Sequence, residues 1–126
     1  WAEAGRPVIR CVAGYSLAGL FALWAARSCG AFRRAASMSG SLWYEGWTDF
    51  ADSHPCRAGR VYLSLGDREG RTRTPRMRAI PEATEQERLR LLREGCEVTF
   101  HPEPGGHFDD VAGRMARGMG EIGGKG

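Results

Sequence analysis

PVIRCVAGYSLAGLFALWAARS, running from Pro7 to Ser28, changes character halfway along. Pro7 to Ala13 is a compact run containing Val8, Ile9 and Val12, the β-branched residues that pack on a pleated surface. Leu17 to Ser28 is apolar almost all round, as a helix buried against a sheet must be. Cys29-Gly30 then supplies a glycine suited to stopping that helix. The chain therefore passes from strand to helix through only Gly14, Tyr15 and Ser16.

Outward from this junction the same alternation continues. Ala35 to Met38 reads as a second strand of small residues, and Val61 to Leu65 as a third, closed by Gly66-Asp67. Thr84 to Arg93 reads as a helix, with Thr84 and Glu87 at capping-box spacing and Leu89 and Leu92 on one face. Glu97 to His101 is a fourth strand, and Asp109 to Ile122 a final helix. The glycine-rich tail from Gly118 to Gly126 is expected to fray. Strands alternating with helices specify an α/β fold: a parallel sheet with flanking helices on both faces. The C-terminal ends of such strands share one sheet edge, where open α/β sheets carry their active sites.

Bulk properties narrow the class. At 126 residues the chain suits one domain, and 42% hydrophobic content supplies a modest core. It starts with Trp1 rather than Met, so it is expected to be a piece of a longer gene product; no secretory leader opens it. No stretch approaches the roughly 20 apolar residues of a membrane span. All 18 basic side chains except Lys125 are arginine, for a net charge of +3. They are interleaved with acids, as in Arg88, Arg90 and Arg93 beside Glu85, Glu87 and Glu94, which describes a solvated surface rather than a nucleic-acid footprint. Cys11, Cys29, Cys56 and Cys96 form no C-x-x-C pair, so neither a metal site nor a disulfide framework is expected. They read as reduced thiols, pointing to the cytoplasm, with Cys11 as a small buried side chain.

Chemistry concentrates at Gly14-Tyr15-Ser16-Leu17-Ala18-Gly19. A serine between strand and helix can sit on a strained turn that thrusts its hydroxyl beyond the sheet edge, provided the flanking positions are small. Gly14 and Ala18 meet that demand. The backbone N–H of Leu17, at the helix N-terminus, would face the oxygen of a tetrahedral intermediate. A second oxyanion donor normally follows an earlier strand, and none is expected within this chain.

A serine hydroxyl needs a base. His107, in the loop PEPGGHF after the fourth strand, is the candidate, since that loop opens at the same edge as Ser16. The alternative is a residue that merely precedes the last helix. His101 reads as structural and His54 as exposed. The orienting acid should follow the strand between serine and histidine. Asp67 and Glu69 both qualify; Asp67 also suits the turn, and Glu69, further out, is preferred. Leu42, Trp43, Tyr44 and Trp47 follow the second strand; they, with Tyr15, either line a substrate pocket or cover the core.

AGYSLAGLFALWA, SMSGSLWY, VYLSLGDREGRTR and PGGHFDDVAGRM resemble, in order, segments of the putative-esterase family of α/β hydrolases, which includes esterase D-like and enterochelin (siderophore) esterases. The resemblance implies that residues 1–126 form the C-terminal half of that fold, from nucleophile strand to last helix, with the N-terminal half absent. It implies a carboxylic-ester hydrolase without cofactor or metal, acting on a small ester, with the siderophore branch nearest. Ser16 would be nucleophile, His107 general base and Glu69 the orienting acid. Acyl transfer to an alcohol, and a non-catalytic fragment, are the alternatives. Ala18 departs from the family's usual glycine. Without its first half, the fold would leave Pro7–Ala13 as an exposed edge, so the chain alone is expected to be a poor catalyst and to self-associate.

Overall fold

Four parallel strands lie side by side in chain order: β1 (Cys11–Tyr15), β2 (Arg34–Met38), β3 (Arg60–Gly66) and β4 (Glu97–Glu103). They are joined by α1 (Leu17–Ser28), α2 (Trp47–Ser53) and α3 (Ile80–Arg93), and followed by α4 (Val111–Gly123). This computed structural model describes residues 8–124. Among the described residues, β1 and β4 are the sheet edges.

Alternation along the strands sorts the core into two layers. Ala35, Val61 and Leu63 face α1, α2 and α3, where Leu23, Ala26, Trp47, Ala51 and Leu91 meet them. Ala36, Met38 and Tyr62 face the other way, onto Ile122 and Met115 of α4. The second strand consists of small residues because helices press on it from both sides. Gly118 shows how closely α4 approaches: a Cβ there would lie 2.4 Å from Met38 Sδ.

The first helix has the expected bounds, and the strands differ by a few residues. β1 starts later than expected, at Cys11, and runs through Gly14 to Tyr15; Pro7 lies outside the described residues. Cys11 is exposed rather than buried, because it begins an edge strand. α2 was not foreseen; its residues read as an aromatic cluster and a polar loop.

The expected capping box at Thr84 and Glu87 is not a cap. α3 begins four residues earlier, at Ile80, with Pro81 in its first turn, where a missing N–H costs nothing. Thr84 and Glu87 are both buried, whereas Leu89 and Leu92 are exposed. The reason is Arg27, fully enclosed on α1, whose Nη2 lies 2.8 Å from Glu87 Oε2. Arg27 Nη1 donates to the Ala51 and His54 carbonyls at 3.1 and 2.8 Å, and to Glu94 at 2.8 Å. Arg90 takes the other Glu87 oxygen. The face of α3 is thus chosen by a buried ion network that joins three helices. Removing one member of such a pair typically costs about 3–5 kcal/mol, since the other charge stays buried and unmatched.

The C-terminal tail is not frayed through most of its length: α4 continues to Gly123, and Gly118 and Ile122 are buried against the sheet. Lys125 and Gly126 lie outside the described residues. Among the described residues, no helix is long and apolar enough to cross a membrane.

Candidate active site

Ser16 occupies the turn between β1 and α1 with φ 59° and ψ −121°, a conformation that costs a non-glycine residue about 1–3 kcal/mol. Backbone hydrogen bonds hold it there. Its N–H donates to Met38 O at 2.9 Å, and its carbonyl accepts from Gly19 and Ser41 N–H at 2.9 and 3.1 Å. The turn is so tight that a Cβ on Gly14 would come within 2.0 Å of Ala18 O. Position 14 therefore admits only glycine. Ala18 points to solvent, so its extra methyl meets no obstacle.

Leu17 is the first residue of α1, and its N–H has no partner within the helix. It is available to an anionic oxygen beside Ser16 and lies at the positive end of the helix dipole.

The loop after β4 brings His107 to the same edge. Ser16 Oγ and His107 Nε2 are 2.8 Å apart, and His107 Nδ1 lies 2.7 Å from Glu69 Oε1. With Nδ1–H donating to the carboxylate, Nε2 presents its lone pair to the serine hydroxyl. The imidazole is 8% exposed and the Glu69 side chain is fully buried.

Asp67, the other acid considered, is not with them. It faces outward and accepts from Gly105 N–H at 2.9 Å, while its own N–H donates to Glu103 O at 2.7 Å. Arg68 N–H donates to Gly105 O at 2.9 Å. Asp67 thus ties the acid-bearing loop to the histidine-bearing loop through its side chain and its own N–H.

Glu69 is fixed through its second oxygen. Gly66 N–H donates to Oε2 at 2.6 Å, Arg114 Nη2 at 2.7 Å, and the Ser39 hydroxyl joins them. Burial alone would raise its carboxyl, but the hydrogen bonds from His107, Ser39, Gly66 and Arg114 outweigh it and hold the group at about 2. Glu69 is therefore ionised throughout the neutral range. An ionised carboxylate in this place can orient the ring and compensate an imidazolium without taking its proton.

Sequence reasoning missed Ser39 and Arg114. A positive φ of 50° at Ser39, just past β2, turns its hydroxyl to Glu69, and no motif announces that. Tyr15, expected in a substrate pocket, is half-buried, and its hydroxyl donates to His107 O. Trp43 lies on a separate small cavity of about 320 Å³ between α2 and α3. A larger open trough, about 670 Å³, runs from Leu17 and Ala18 along α1 past Phe21 and Trp24, with Tyr44 and Phe50 opposite. It begins beside Ser16, and its walls are almost wholly apolar. His101 and His54 are both exposed and apart from the serine. Among the described residues, no group of three or more His, Cys, Asp or Glu could hold a metal.

Comparison with known proteins places these features in context. The family described as "Putative esterase" matches residues 2–110. The uncharacterized protein YbbA of Bacillus subtilis (strain 168) is 31% identical over 98 residues, which cover 75% of this chain and 39% of that protein. Among solved structures, the enterobactin esterase FES from Shigella flexneri superposes with a TM-score of 0.67 at 26% identity, covering 90% of this chain and 30% of FES. That structure was determined in the presence of 2,3-di-hydroxy-N-benzoyl-glycine. The Pyrococcus horikoshii acylaminoacyl peptidase shares the fold, with a TM-score of 0.57 at 16% identity over 86% of this chain and 22% of its own. The chain thus spans well under half the length of each of these relatives.

Proposed function

The chain belongs to the putative-esterase family of α/β hydrolases, and on that premise we propose that it carries the catalytic centre of a serine-dependent carboxylic-ester hydrolase. The observation that carries this reading is the unbroken hydrogen-bonded line from Ser16 Oγ through the His107 ring to Glu69.

The chemistry follows from that line. Ser16 Oγ attacks the ester carbonyl carbon while His107 Nε2 takes the hydroxyl proton. The imidazolium so formed is compensated by ionised Glu69. The tetrahedral oxygen, now anionic, is stabilised by Leu17 N–H at the helix N-terminus; one such donor is worth roughly 2.7–4 kcal/mol in well-studied hydrolases. Collapse expels the alcohol, which takes the proton from His107, and leaves an acyl-Ser16 ester. Water then attacks that ester with His107 again as base, releasing the acid and restoring the serine. No cofactor enters either half-reaction. The second oxyanion donor is assigned to the part of the family fold that the longer relatives carry beyond this chain's span.

The substrate class proposed is a small ester of the siderophore kind. Two observations support it: the aromatic and aliphatic trough that starts at Leu17, and the likeness to an enterobactin esterase. The test is product analysis of a family-length protein carrying this chain, given an aryl ester with and without an added alcohol. Free acid should remain the main product whether or not alcohol is present. A dominant transferred ester would make the protein an acyltransferase, and no Ser16-dependent acyl release would leave a non-catalytic domain.

A partner is also proposed. Among the described residues β1 pairs on one side only, and Val8 and Ile9 ahead of it are 52% and 48% exposed. Such an edge recruits another strand. In the chain by itself we expect a second copy to fill that place. Sedimentation should then show mass rising with concentration, and Val8→Lys with Ile9→Lys, at exposed positions, should lower it. A monodisperse monomer at all concentrations would exclude the pairing.

A further inference from the structure

Arg114 is fully buried, yet it lies on a helix that packs against an apolar sheet face. A buried guanidinium needs acceptors, and four are present. Nη2 donates to Glu69 Oε2 at 2.7 Å and reaches the Ser39 hydroxyl. Nη1 donates to the carbonyls of Gly106 and Asp109 at 2.9 and 3.1 Å. These carbonyls stand on either side of His107 in the chain. Arg114 therefore grips both the acid and the segment that presents the base, and its planar fork is what lets one side chain do so.

The placement follows from the sequence of α4. Arg114, Gly118 and Ile122 are the buried positions, spaced at four residues along one face. Side chains on a helix lean towards its N-terminus, so Arg114 reaches back over the preceding loop. Gly118, one turn on, lets the helix close onto Met38 and brings the guanidinium within reach of Glu69. The Tyr15 ring lies under Arg114, with its centroid 5.3 Å from the guanidinium carbon, while the Tyr15 hydroxyl holds His107 O. The family match ends at residue 110, short of this arginine.

We infer that Arg114 is a positioning residue for the Ser16–His107–Glu69 line, locking the carboxylate and the histidine loop into one rigid unit from α4. This rests on the function proposed above. Arg114 touches no substrate; it fixes the direction of the Glu69 oxygen that meets His107 Nδ1 and the height of the ring above Ser16.

The test compares wild type, Arg114→Gln and Arg114→Lys in a family-length protein. It reads ester turnover together with the far-downfield proton resonance of the His107 Nδ1–H bond to Glu69. Arg114→Gln should lower kcat about 10- to 100-fold, the scale of a displaced catalytic group, with KM changed less than about twofold. The downfield resonance should broaden or vanish. Arg114→Lys keeps the charge but not the fork, so it should recover part of kcat and a weakened, shifted resonance. If Arg114→Gln does not fold, Arg114→Lys decides alone: wild-type kcat with an unshifted resonance overturns the inference. So does a folded Arg114→Gln in which both readouts match wild type. The resonance is independent of turnover. A wild type with the resonance but no Ser16-dependent acyl release would defeat the proposed function and still leave Arg114's role measurable.

Discussion

Ser16→Ala is expected to lower ester turnover by at least about 10⁴-fold, while KM and the unfolding midpoint stay close to wild type. The loss is large because no other group can form the covalent intermediate at this edge. Ser39, the other serine of the network, is fully buried and committed to Glu69 and Arg114. Stability should be unaffected or slightly improved, since alanine keeps the backbone contacts of the turn and loses only a hydroxyl aimed at His107. Pre-steady-state kinetics provide the check: wild type should release alcohol in a burst before the acid, and the variant should show no burst. Turnover within about tenfold of wild type would mean that the acyl group never resides on Ser16.

Glu69→Gln is the second large effect. The amide can turn its NH₂ towards His107 Nδ1, which forces the ring proton onto Nε2 and leaves nothing to accept the serine proton. A drop in kcat of about 10³- to 10⁴-fold is expected, as in other enzymes that lose this carboxylate. The variant also leaves Arg114 buried opposite a neutral group, so stability near neutrality should fall by about 3–5 kcal/mol.

That stability loss carries a pH signature whose sign is fixed. Glu69 is held at about 2, below its ordinary value of 4.5. The stabilisation from its charge is complete above 4.5 and drains away as pH falls towards 2. The stability gap between wild type and Glu69→Gln should therefore be flat above about pH 5 and narrow steadily below 4.5. Denaturant titrations at several pH values measure it. A gap that widens on acidification would show that Glu69 is not the depressed carboxylate.

The residues legible in the sequence were those constrained by covalent geometry. The turn at Ser16 demands a glycine at position 14 and a strand–helix junction around it, and both can be read without coordinates. His107 was readable because its loop follows the last strand, and every strand of a parallel sheet delivers its C-terminal loop to the same edge. Glu69 could be preferred but not separated from Asp67, because two residues on one loop differ only in where their side chains turn.

What escaped was set by tertiary charge pairing. Glu87 looks like half of a capping box, and only the position of Arg27, sixty residues away, shows why α3 turns it inward. Arg114 was hidden in the same way among many scattered arginines whose ordinary place is the surface. Ser39 depends on a positive φ that serine seldom adopts. The short helix α2 was missed because its aromatic residues, Trp47 and Phe50, suit a pocket wall as well as a core.

The central claim is that the side chains at 16, 107 and 69 act as one unit, and peptide mapping of a fluorophosphonate adduct tests it most directly. The adduct should form on Ser16 and on no other serine, and its rate should collapse in His107→Ala. An adduct on a different serine, or one formed on Ser16 at an undiminished rate without His107, would contradict it.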